Sequence, residues 1–280
     1  MTNFKFTFLG TGTSQGVPII GCHCAACASL DAKDKRLRTS AMVTLPNGKN
    51  IVIDAGPDFR QQMLREKVED VAAILFTHAH NDHIAGLDDV RALNFKHQKP
   101  MPLFATPSVQ RDLKRRFDYA FSENPYPGAP RLEFSTISKD EIFEVEGFEI
   151  QPIEVLHGRE TTVLGFRFGD LTYITDCKSI EYKEYKKLFG TKILILNALH
   201  QREHHSHLNI KQALDIVKEI QPERAFFTHI SHTMGVQKDV SETLPKGVEL
   251  AFDGLNFDFH WFFIEKYPLI PFQNLRWRLN

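Results

Sequence analysis

The sequence has no long apolar run, almost no net charge and only four cysteines. No window reaches the roughly 20 consecutive apolar residues that a membrane-spanning helix needs. The N-terminus shows no basic segment followed by an apolar stretch, so no signal peptide is expected. The formal net charge of −1 gives no electrostatic reason to expect a nucleic acid or an anionic membrane as a standing partner. These absences favour a cytoplasmic globular protein.

Three of the four cysteines, Cys22, Cys24 and Cys27, are clustered within six positions. Such tight clustering does not suit a disulfide framework, and in a cytoplasmic chain it more often binds a metal ion. A structural zinc site needs four ligands, so the cluster is one short. Cys177 is a numerical fourth, but it adjoins Asp176 and is better explained as a small apolar residue in the core. Three reduced cysteines in a loop are the alternative.

The most unusual segment is LFTHAHNDHIAGLDD, from Leu75 to Asp89, in a chain with 13 histidines. If the chain stays extended after the apolar run, His78 and His80 point to the same side and can reach one ion. A turn beyond them can aim Asp82 and His83 at a second ion. Solvated histidines at a strand end are the alternative. Imidazole combined with carboxylate suits zinc, manganese or iron, so the segment predicts a metal site.

Alternating apolar residues and turn residues predict an α/β fold, in which strands and helices are mixed along the whole chain. Strands are predicted at Phe4–Leu9, Ser40–Leu45, Asn50–Asp54, Ala72–Thr77, Phe148–Leu156, Val163–Phe168, Leu171–Thr175, Ile193–Asn197 and Ala225–Thr228. Helices are predicted at Pro57–Lys67, Ile180–Leu188 and Asn209–Ile220. No stretch reads as a linker, so residues 1–280 are expected to form one domain. An excursion, either a lid or a subunit contact, is predicted near residues 91–130, with a plain surface loop and helix as the alternative.

Further candidate ligands end other strand-like runs. His157 follows FEIQPIEVL, Asp176 follows LTYIT, and His229 follows RAFFT. Functional side chains in α/β folds are commonly found where strands end. Each of these residues alone would be a surface or capping residue, but together with the first motif they predict one composite site.

With these residues in place, the sequence resembles the metallo-β-lactamase fold in its two-metal hydrolase form. Within that fold it is similar to the phosphoribosyl 1,2-cyclic phosphate phosphodiesterase (PhnP-like) family. The resemblance is carried by GTGTSQGVPIIGCHCAAC near the N-terminus, IDAGPDFR at Ile53–Arg60 and FTHISH at Phe227–His232. It extends from about Phe4 to Phe257 and implies a four-layer αββα sandwich with two metals at one edge.

The resemblance also implies roles for individual residues. It places one metal on His78, His80 and His157, a second on Asp82, His83 and His229, and Asp176 between the two. The implied ions are manganese or zinc, with iron as a further option. A hydroxide between them would attack the phosphorus of a small cyclic phosphate or related diester. Asp54 matches the acid that orients a ligand histidine, and Asp82 is also a catalytic candidate. His232 would complete a structural zinc site with the three cysteines, whereas His23 matches no ligand position.

The general acid is less well defined by the sequence. A leaving alkoxide needs a proton, typically from a histidine, and HQREHHSHLNI offers His200, His204, His205 and His207. The family pattern His-x-x-Leu-Asn falls on His205, whereas counting back from His229 by the family interval reaches His207. Local motifs survive small insertions better than long counts do, so His205 is preferred and His207 is the alternative.

Other functions share the same ligands. A ribonuclease of the transfer-RNA 3′-processing type usually carries an RNA-binding arm and lacks the cysteine cluster, which argues against it here. Thioester hydrolysis, β-lactamase activity and a non-catalytic metal-binding protein are further alternatives. The expected partner is a small-molecule phosphodiester substrate rather than a membrane or a nucleic acid, and the family is compatible with a homodimer. The aromatic C-terminal extension, residues 258–280, is expected to pack on the domain or join a subunit contact.

Overall fold

The structure is a computed structural model that describes residues 4–159 and 161–261. The strands in these ranges are β1 (Phe4–Gly10), β2 (Ser40–Thr44), β3 (Asn50–Ile53), β4 (Val71–Leu75), β5 (Met101–Ala105), β6 (Leu132–Thr136), β7 (Phe143–Val145), β8 (Phe148–His157), β9 (Thr161–Phe168), β10 (Leu171–Ile174), β11 (Ile193–Asn197), β12 (Arg224–Thr228), β13 (Val248–Leu250) and β14 (Asn256–Phe259). The α-helices are α1 (Ala25–Ala28), α2 (Phe59–Arg65), α3 (Asn81–Ile84), α4 (Arg91–His97), α5 (Pro107–Arg116), α6 (Asp118–Phe121), α7 (Tyr182–Tyr185), α8 (Ile210–Ile220) and α9 (Gln237–Ser241). Short 3₁₀ turns occupy Ala32–Asp34, Leu87–Val90, Lys186–Leu188 and His232–Met234.

The strands form two seven-stranded sheets. The first has the order β14-β1-β2-β3-β4-β5-β6, and the second has the order β13-β12-β11-β10-β9-β8-β7. Strands β3 to β6 are parallel, as are β10 to β13. Strand β8 is antiparallel to β9, which is antiparallel to β10, so β8 and β10 run in the same direction. The carboxyl ends of these parallel strands therefore collect polar side chains at one edge of each sheet.

The alternation of apolar residues builds three apolar layers. In β1, Phe4, Phe6 and Phe8 face the space between the sheets, where they meet Tyr173 and Phe226 of the second sheet. A second apolar layer packs the outer face of the second sheet beneath α7 and α8, and a third packs the first sheet beneath α2 and α5. Helices thus cover the outer face of both sheets. The four-layer αββα sandwich expected from the sequence is confirmed.

Helix α8 shows how the sequence sets an element. Asn209 caps it: the side chain accepts a hydrogen bond from the backbone N–H of Gln212, whose side chain accepts one from the backbone of Asn209. This reciprocal pair satisfies backbone donors that the first turn leaves free. Ile210, Ala213 and Ile220 then share the buried face. The helix begins one residue later than predicted because Asn209 is the cap.

Residues 91–130 differ from the expected excursion. The segment contains β5, which pairs with β4 and β6 inside the first sheet, so its centre belongs to the core. Helices α4, α5 and α6 and the stretch 122–130 make up the rest of the segment. The sequence did not reveal β5 because MPLFA is short and includes a proline, and β6 and β7 were missed for similar reasons of length.

The described part of the C-terminal extension packs on the sandwich. Strand β14 pairs with β1 as an edge strand of the first sheet. Trp261 packs against Phe4, Phe148 and Phe168, and its Nε1–H donates a hydrogen bond to the carbonyl of Glu149 at 2.9 Å. The rest of the predicted extension, residues 262–280, lies outside the described residues. Within residues 4–159 and 161–261, no helix is both long and apolar enough to cross a membrane.

Candidate metal centre and active site

Three residues that end strands turn the backbone into the gap between the sheet edges. Asp54 follows β3, Asp176 lies two residues beyond β10, and His229 follows β12. Their φ angles are 63°, 53° and 55°, in the left-handed region that residues with a Cβ rarely adopt. Each such residue costs of order 1–3 kcal/mol and persists only where its surroundings fix it. The left-handed turn at each strand end directs these three side chains into one site.

The first group of candidate ligands is His78, His80 and His157. Their ligand atoms all lie within 4.8 Å of one another, and the rings of His78 and His80 are 4.5 Å apart. The Nδ1–H of His157 donates to the backbone carbonyl of Ser206 at 2.9 Å, which leaves Nε2 free. His78 is buried, whereas His80 is exposed. The group is therefore open to solvent on the His80 side.

The second group is Asp82, His83 and His229, whose ligand atoms also lie within 4.8 Å of one another. His83 Nε2 is 3.3 Å from Asp82 Oδ2, and His229 Nε2 is 3.8 Å from the same oxygen. The single turn of α3 supplies Asp82 and His83, and the N–H of Ala55 fixes it by donating to the carbonyl of His83 at 2.8 Å. Both histidines of this group are buried, so it is more enclosed than the first.

Asp176 lies between the two groups. Its Oδ2 is 3.3 Å from His83 Nε2, and its Oδ1 is 3.1 Å from His229 Nε2. One of its oxygens also lies within 4.8 Å of the ligand nitrogen of His78 in the first group. The hydroxyl of Thr175 donates to Oδ2 at 2.6 Å and holds the carboxylate in place. A single carboxylate therefore reaches both groups.

The chemistry of these donors fits divalent metal ions. The Nε2 atoms of His78, His83 and His229 are buried and have no hydrogen-bond partner among the described residues. A buried polar atom without a partner costs about 1–3 kcal/mol. Their neighbours are carboxylate oxygens and other imidazole nitrogens, which cannot satisfy a lone pair. A divalent cation would satisfy these lone pairs and the carboxylates together.

The electrostatics of the site favour positive charge at its centre. Burial and the neighbouring His83 hold the pKa of His78 well below its usual range, so this imidazole is neutral, as a metal ligand must be. Burial opposes ionisation of Asp176, but His229 and His83 outweigh it and hold the pKa of Asp176 well below its usual range. Burial also opposes protonation of His83, yet Asp176 and Asp54 raise its pKa. The negative charge of these carboxylates thus favours a positive charge at or beside His83.

His207, and not His205, lies at this centre. His207 is buried, its ring is 4.5 Å from that of His157, and its Nδ1 is 3.9 Å from Asp176 Oδ1. Burial and the nearby His229 lower the pKa of His207 to about 2. His205 is exposed. The structure therefore does not support the preference for His205 as the general acid.

The reason is a tertiary contact that the motif does not encode. The N–H of Leu208 donates to the carbonyl of Cys177 at 2.8 Å, and its carbonyl accepts from the N–H of Leu199 at 2.9 Å. These bonds tie Leu208 beside the residue that follows Asp176, so the preceding side chain faces the site. His204 instead contacts Ser206, through Nδ1 and the serine hydroxyl at 3.2 Å.

The three clustered cysteines meet His232, as the resemblance implied. The ligand atoms of Cys22, Cys24, Cys27 and His232 all lie within 4.8 Å of one another, and the first two sulfurs are each 3.3 Å from His232 Nδ1. A backbone hydrogen bond from Cys27 and contact with His232 lower the pKa of Cys24 to about 6, which favours the thiolate. Three thiolates and one imidazole form a complete tetrahedral donor set for zinc.

The remaining cysteine and the histidine inside the cluster are not part of this set. Cys177 is fully buried in the core beneath α7 and α8, and burial raises the pKa of its thiol. His23 is exposed and belongs to none of the ligand groups found among the described residues. Both placements agree with the interpretation of the sequence.

Two residues that contact the ligand histidines were missed from the sequence. Thr77 contacts His78, and the carbonyl of Ser206 accepts from His157. The position of Thr77 directly before His78 was a usable signal. A backbone carbonyl has no signal in the sequence, because any residue could supply it.

Comparison with known proteins gives a family match and several relatives. Residues 49–230 match the family described as the beta-lactamase superfamily domain. An octanoyltransferase of Porphyromonas gingivalis is 38% identical over 248 residues, which cover 88% of this chain and 50% of that protein. The chain thus spans about half the length of this curated relative.

Solved structures share the architecture. A structure described as a new diphosphatase from the PhnP family is 40% identical, with a TM-score of 0.87, and the match covers 93% of this chain and 99% of that chain. The short form of human tRNase Z is 18% identical, with a TM-score of 0.67, and the match covers 90% of this chain and 98% of that chain. A likeness at 18% identity shows a shared fold and no more.

Proposed function

The chain belongs to the beta-lactamase superfamily, and on this basis we propose that it is a metal-dependent phosphodiesterase acting on a small cyclic phosphate or a related phosphodiester. The observation that carries the proposal is the pair of ligand groups that Asp176 joins, with His207 beside them. The likeness to a diphosphatase of the PhnP family supports phosphate-ester chemistry over thioester or β-lactam hydrolysis.

Each ligand group would hold one divalent ion. His78, His80 and His157 would bind one, and Asp82, His83 and His229 would bind the other, with Asp176 available to both. Manganese, zinc and iron all accept these donors. When bound, such ions lower the pKa of water towards neutrality and offset charge that develops on phosphoryl oxygens. The protein supplies a fixed arrangement of neutral imidazoles and ionised carboxylates.

The protein side chains also define where a diester would bind. The exposed His80 and the half-buried His157 mark the open side of the site, through which the substrate would enter. His207 lies next to His157 and is placed to donate a proton to the leaving oxygen. Burial and His229 lower the pKa of His207 to about 2, so its imidazole is neutral in the free site. To act as the general acid, His207 would take up a proton from solvent when the anionic diester is bound beside it.

The cysteine cluster is proposed to hold a structural zinc ion. Cys22, Cys24, Cys27 and His232 fill all four positions of a tetrahedral ion, so none is open to substrate. The ion would fix the N-terminal loop against the loop that carries His229. A chain with this cluster and a soluble small-molecule substrate fits a cytoplasmic location, and a homodimer stays a prediction that light scattering can test.

The test is turnover of bis(p-nitrophenyl) phosphate, a generic diester, by the protein loaded with Mn²⁺ or Zn²⁺. The diester should be hydrolysed much faster than p-nitrophenyl phosphate, the monoester. Asp176→Ala should abolish turnover, because the two ligand groups would lose the carboxylate that lies between them. A panel of cyclic phosphates would then identify the substrate.

Two histidine variants give a matched comparison within one loop. His207→Ala should lower kcat by about 10²–10⁴-fold, the usual contribution of a general acid. His205→Ala should leave kcat close to wild type, since its side chain is exposed. No diester turnover by a folded, metal-loaded protein would refute the proposal. Cleavage of precursor transfer RNA in that case would favour the ribonuclease instead.

A further inference from the structure

The buried carboxylate of Asp54 collects three hydrogen-bond donors. Its Oδ1 accepts from the backbone N–H of Thr77 at 2.9 Å. Its Oδ2 accepts from the hydroxyl of Thr77 at 2.8 Å and faces Nδ1 of His83 at 2.7 Å. Asp54 has no exposed surface, and Thr77 and His83 are buried as well. Water therefore does not compete for these contacts.

The hydroxyl of Thr77 has a second partner, Nδ1 of His78, at 2.9 Å. A threonine hydroxyl has one hydrogen to donate, and an ionised carboxylate can only accept. Because the hydroxyl donates to Asp54, it must accept from His78. The proton of the neutral His78 imidazole then sits on Nδ1, and Nε2 keeps its lone pair.

The same count applies to His83 without a relay. Its Nδ1–H donates directly to Asp54 Oδ2, so Nε2 is the nitrogen that is left to bind an ion. The Nε2 atoms of His78 and His83 are among the buried nitrogens that have no hydrogen-bond partner in the described residues. His78 belongs to the group with His80 and His157, and His83 belongs to the group with Asp82 and His229.

We propose that Thr77 is a positioning residue that extends the influence of Asp54 from one metal position to the other. Asp54 sets the tautomer of His83 directly, and Thr77 sets that of His78 for the same carboxylate. One buried acid thus prepares one ligand for each ion. The opposite arrangement, with a protonated Asp54 donating to Thr77 and Thr77 donating to His78, would leave a proton on Nε2 and block metal binding. The proposal rests on the proposed binding of two ions.

Metal affinity tests the relay independently of turnover. Thr77→Val keeps the shape of the side chain but removes the hydroxyl, so His78 Nδ1 loses its acceptor. We expect one active-site ion to bind about 10–100-fold more weakly, the usual effect of losing such a partner. The other active-site ion should keep an affinity within about threefold of wild type, because the contact of His83 with Asp54 remains. Competition with a chromophoric zinc chelator, together with metal analysis, measures the affinity of the protein for each ion.

Two further variants define the direction of the relay. Thr77→Ser keeps the hydroxyl and should restore both affinities, which a purely packing role for the threonine methyl would not predict. Asp54→Asn should weaken both active-site ions, because both histidines lose their reference carboxylate. The zinc ion on the cysteine cluster should stay bound in all three variants and shows that the protein is folded.

The tautomers can be observed directly. In zinc-loaded protein with ¹⁵N-labelled histidine, long-range ¹H–¹⁵N spectra should show His78 and His83 protonated on Nδ1. In Thr77→Val the Nδ1 proton of His78 should exchange faster with water, while that of His83 should not change. A proton on His78 Nε2 in the wild type, or wild-type affinity for both ions in Thr77→Val, would overturn the relay. If the wild type binds both ions but hydrolyses no diester, the proposed function fails and the relay stands.

Discussion

Gly56 is the position at which one added methyl group tests how closely the ligand loop must be placed. A Cβ at Gly56 would lie 2.0 Å from the carbonyl oxygen of Asp82 and 3.0 Å from its carbonyl carbon. The carbonyl oxygen would have to move by about 1 Å to reach even the shortest contact that real Cβ atoms show. Neither side can yield easily, because Gly56 accepts from the N–H of Phe59 and the neighbouring Ala55 donates to His83.

The expected effect follows from how little displacement a metal site tolerates. Ligand distances in metal sites hold to within about 0.2 Å, and a misplacement of about 1 Å costs roughly 100-fold in rate. Gly56→Ala should therefore weaken the ion on Asp82, His83 and His229 and lower diester turnover by about 100-fold. Overpacking of this kind should also lower the free energy of unfolding by about 1–3 kcal/mol.

Gly48→Ala is the matched control, because it adds the same methyl group in open space. Gly48 lies in the turn between β2 and β3 with a φ of 83°, and nothing lies within 4 Å of the added Cβ. The strained φ should cost about 1 kcal/mol of stability and leave metal affinity and turnover unchanged. Chelator competition, diester turnover and urea unfolding of both variants complete the assay. Wild-type metal affinity in Gly56→Ala would show that the loop moves without disturbing its ligands, and the reasoning would be refuted.

Three further outcomes are expected elsewhere in the chain. Arg36→Met should cost about 3–5 kcal/mol in urea unfolding, because the buried guanidinium donates to groups of three other segments, whereas the exposed Arg60→Met should change stability by less than about 0.5 kcal/mol. Cys27→Ser should remove one metal ion per chain in elemental analysis and lower Tm, while the active-site ions remain. An unchanged metal content would contradict zinc binding by the cysteine cluster. Trp261→Ala should cost about 3–5 kcal/mol, and a neutral effect would show that the packing of Trp261 and its bond to Glu149 contribute little.

The sequence predicted the elements whose pattern is local. Strands β1 to β4 and β8 to β12 were found to within one or two residues because their apolar alternation or apolar runs are continuous and turn residues bound them. Strands β13 and β14 have only three and four residues. Strand β13 is extended because it pairs with β12, and β14 because it pairs with β1, which is distant in sequence. No local pattern therefore marks either strand.

The same division applies to the site. His78, His80, Asp82 and His83 could be predicted because one short segment carries all four. Which of His205 and His207 lies at the site could not be predicted, because both belong to the same polar loop. Only the contacts of Leu208 with distant backbone groups decide which of the two faces the candidate metal centre.

The loop after β12 shows why the cysteine cluster lies close to the active site. His229 is a candidate ligand held at a φ of 55°, so its neighbours must offset that strain. The next residue, Ile230, is paired on both sides: its N–H donates to the carbonyl of Thr11 at 2.8 Å, and its carbonyl accepts from Thr13 at 3.1 Å. Two residues further on, His232 meets the cysteines. The two hydrogen bonds from the N-terminal loop therefore fix the backbone directly after His229. An ion bound by the cysteines and His232 would fix the same loop at a second point.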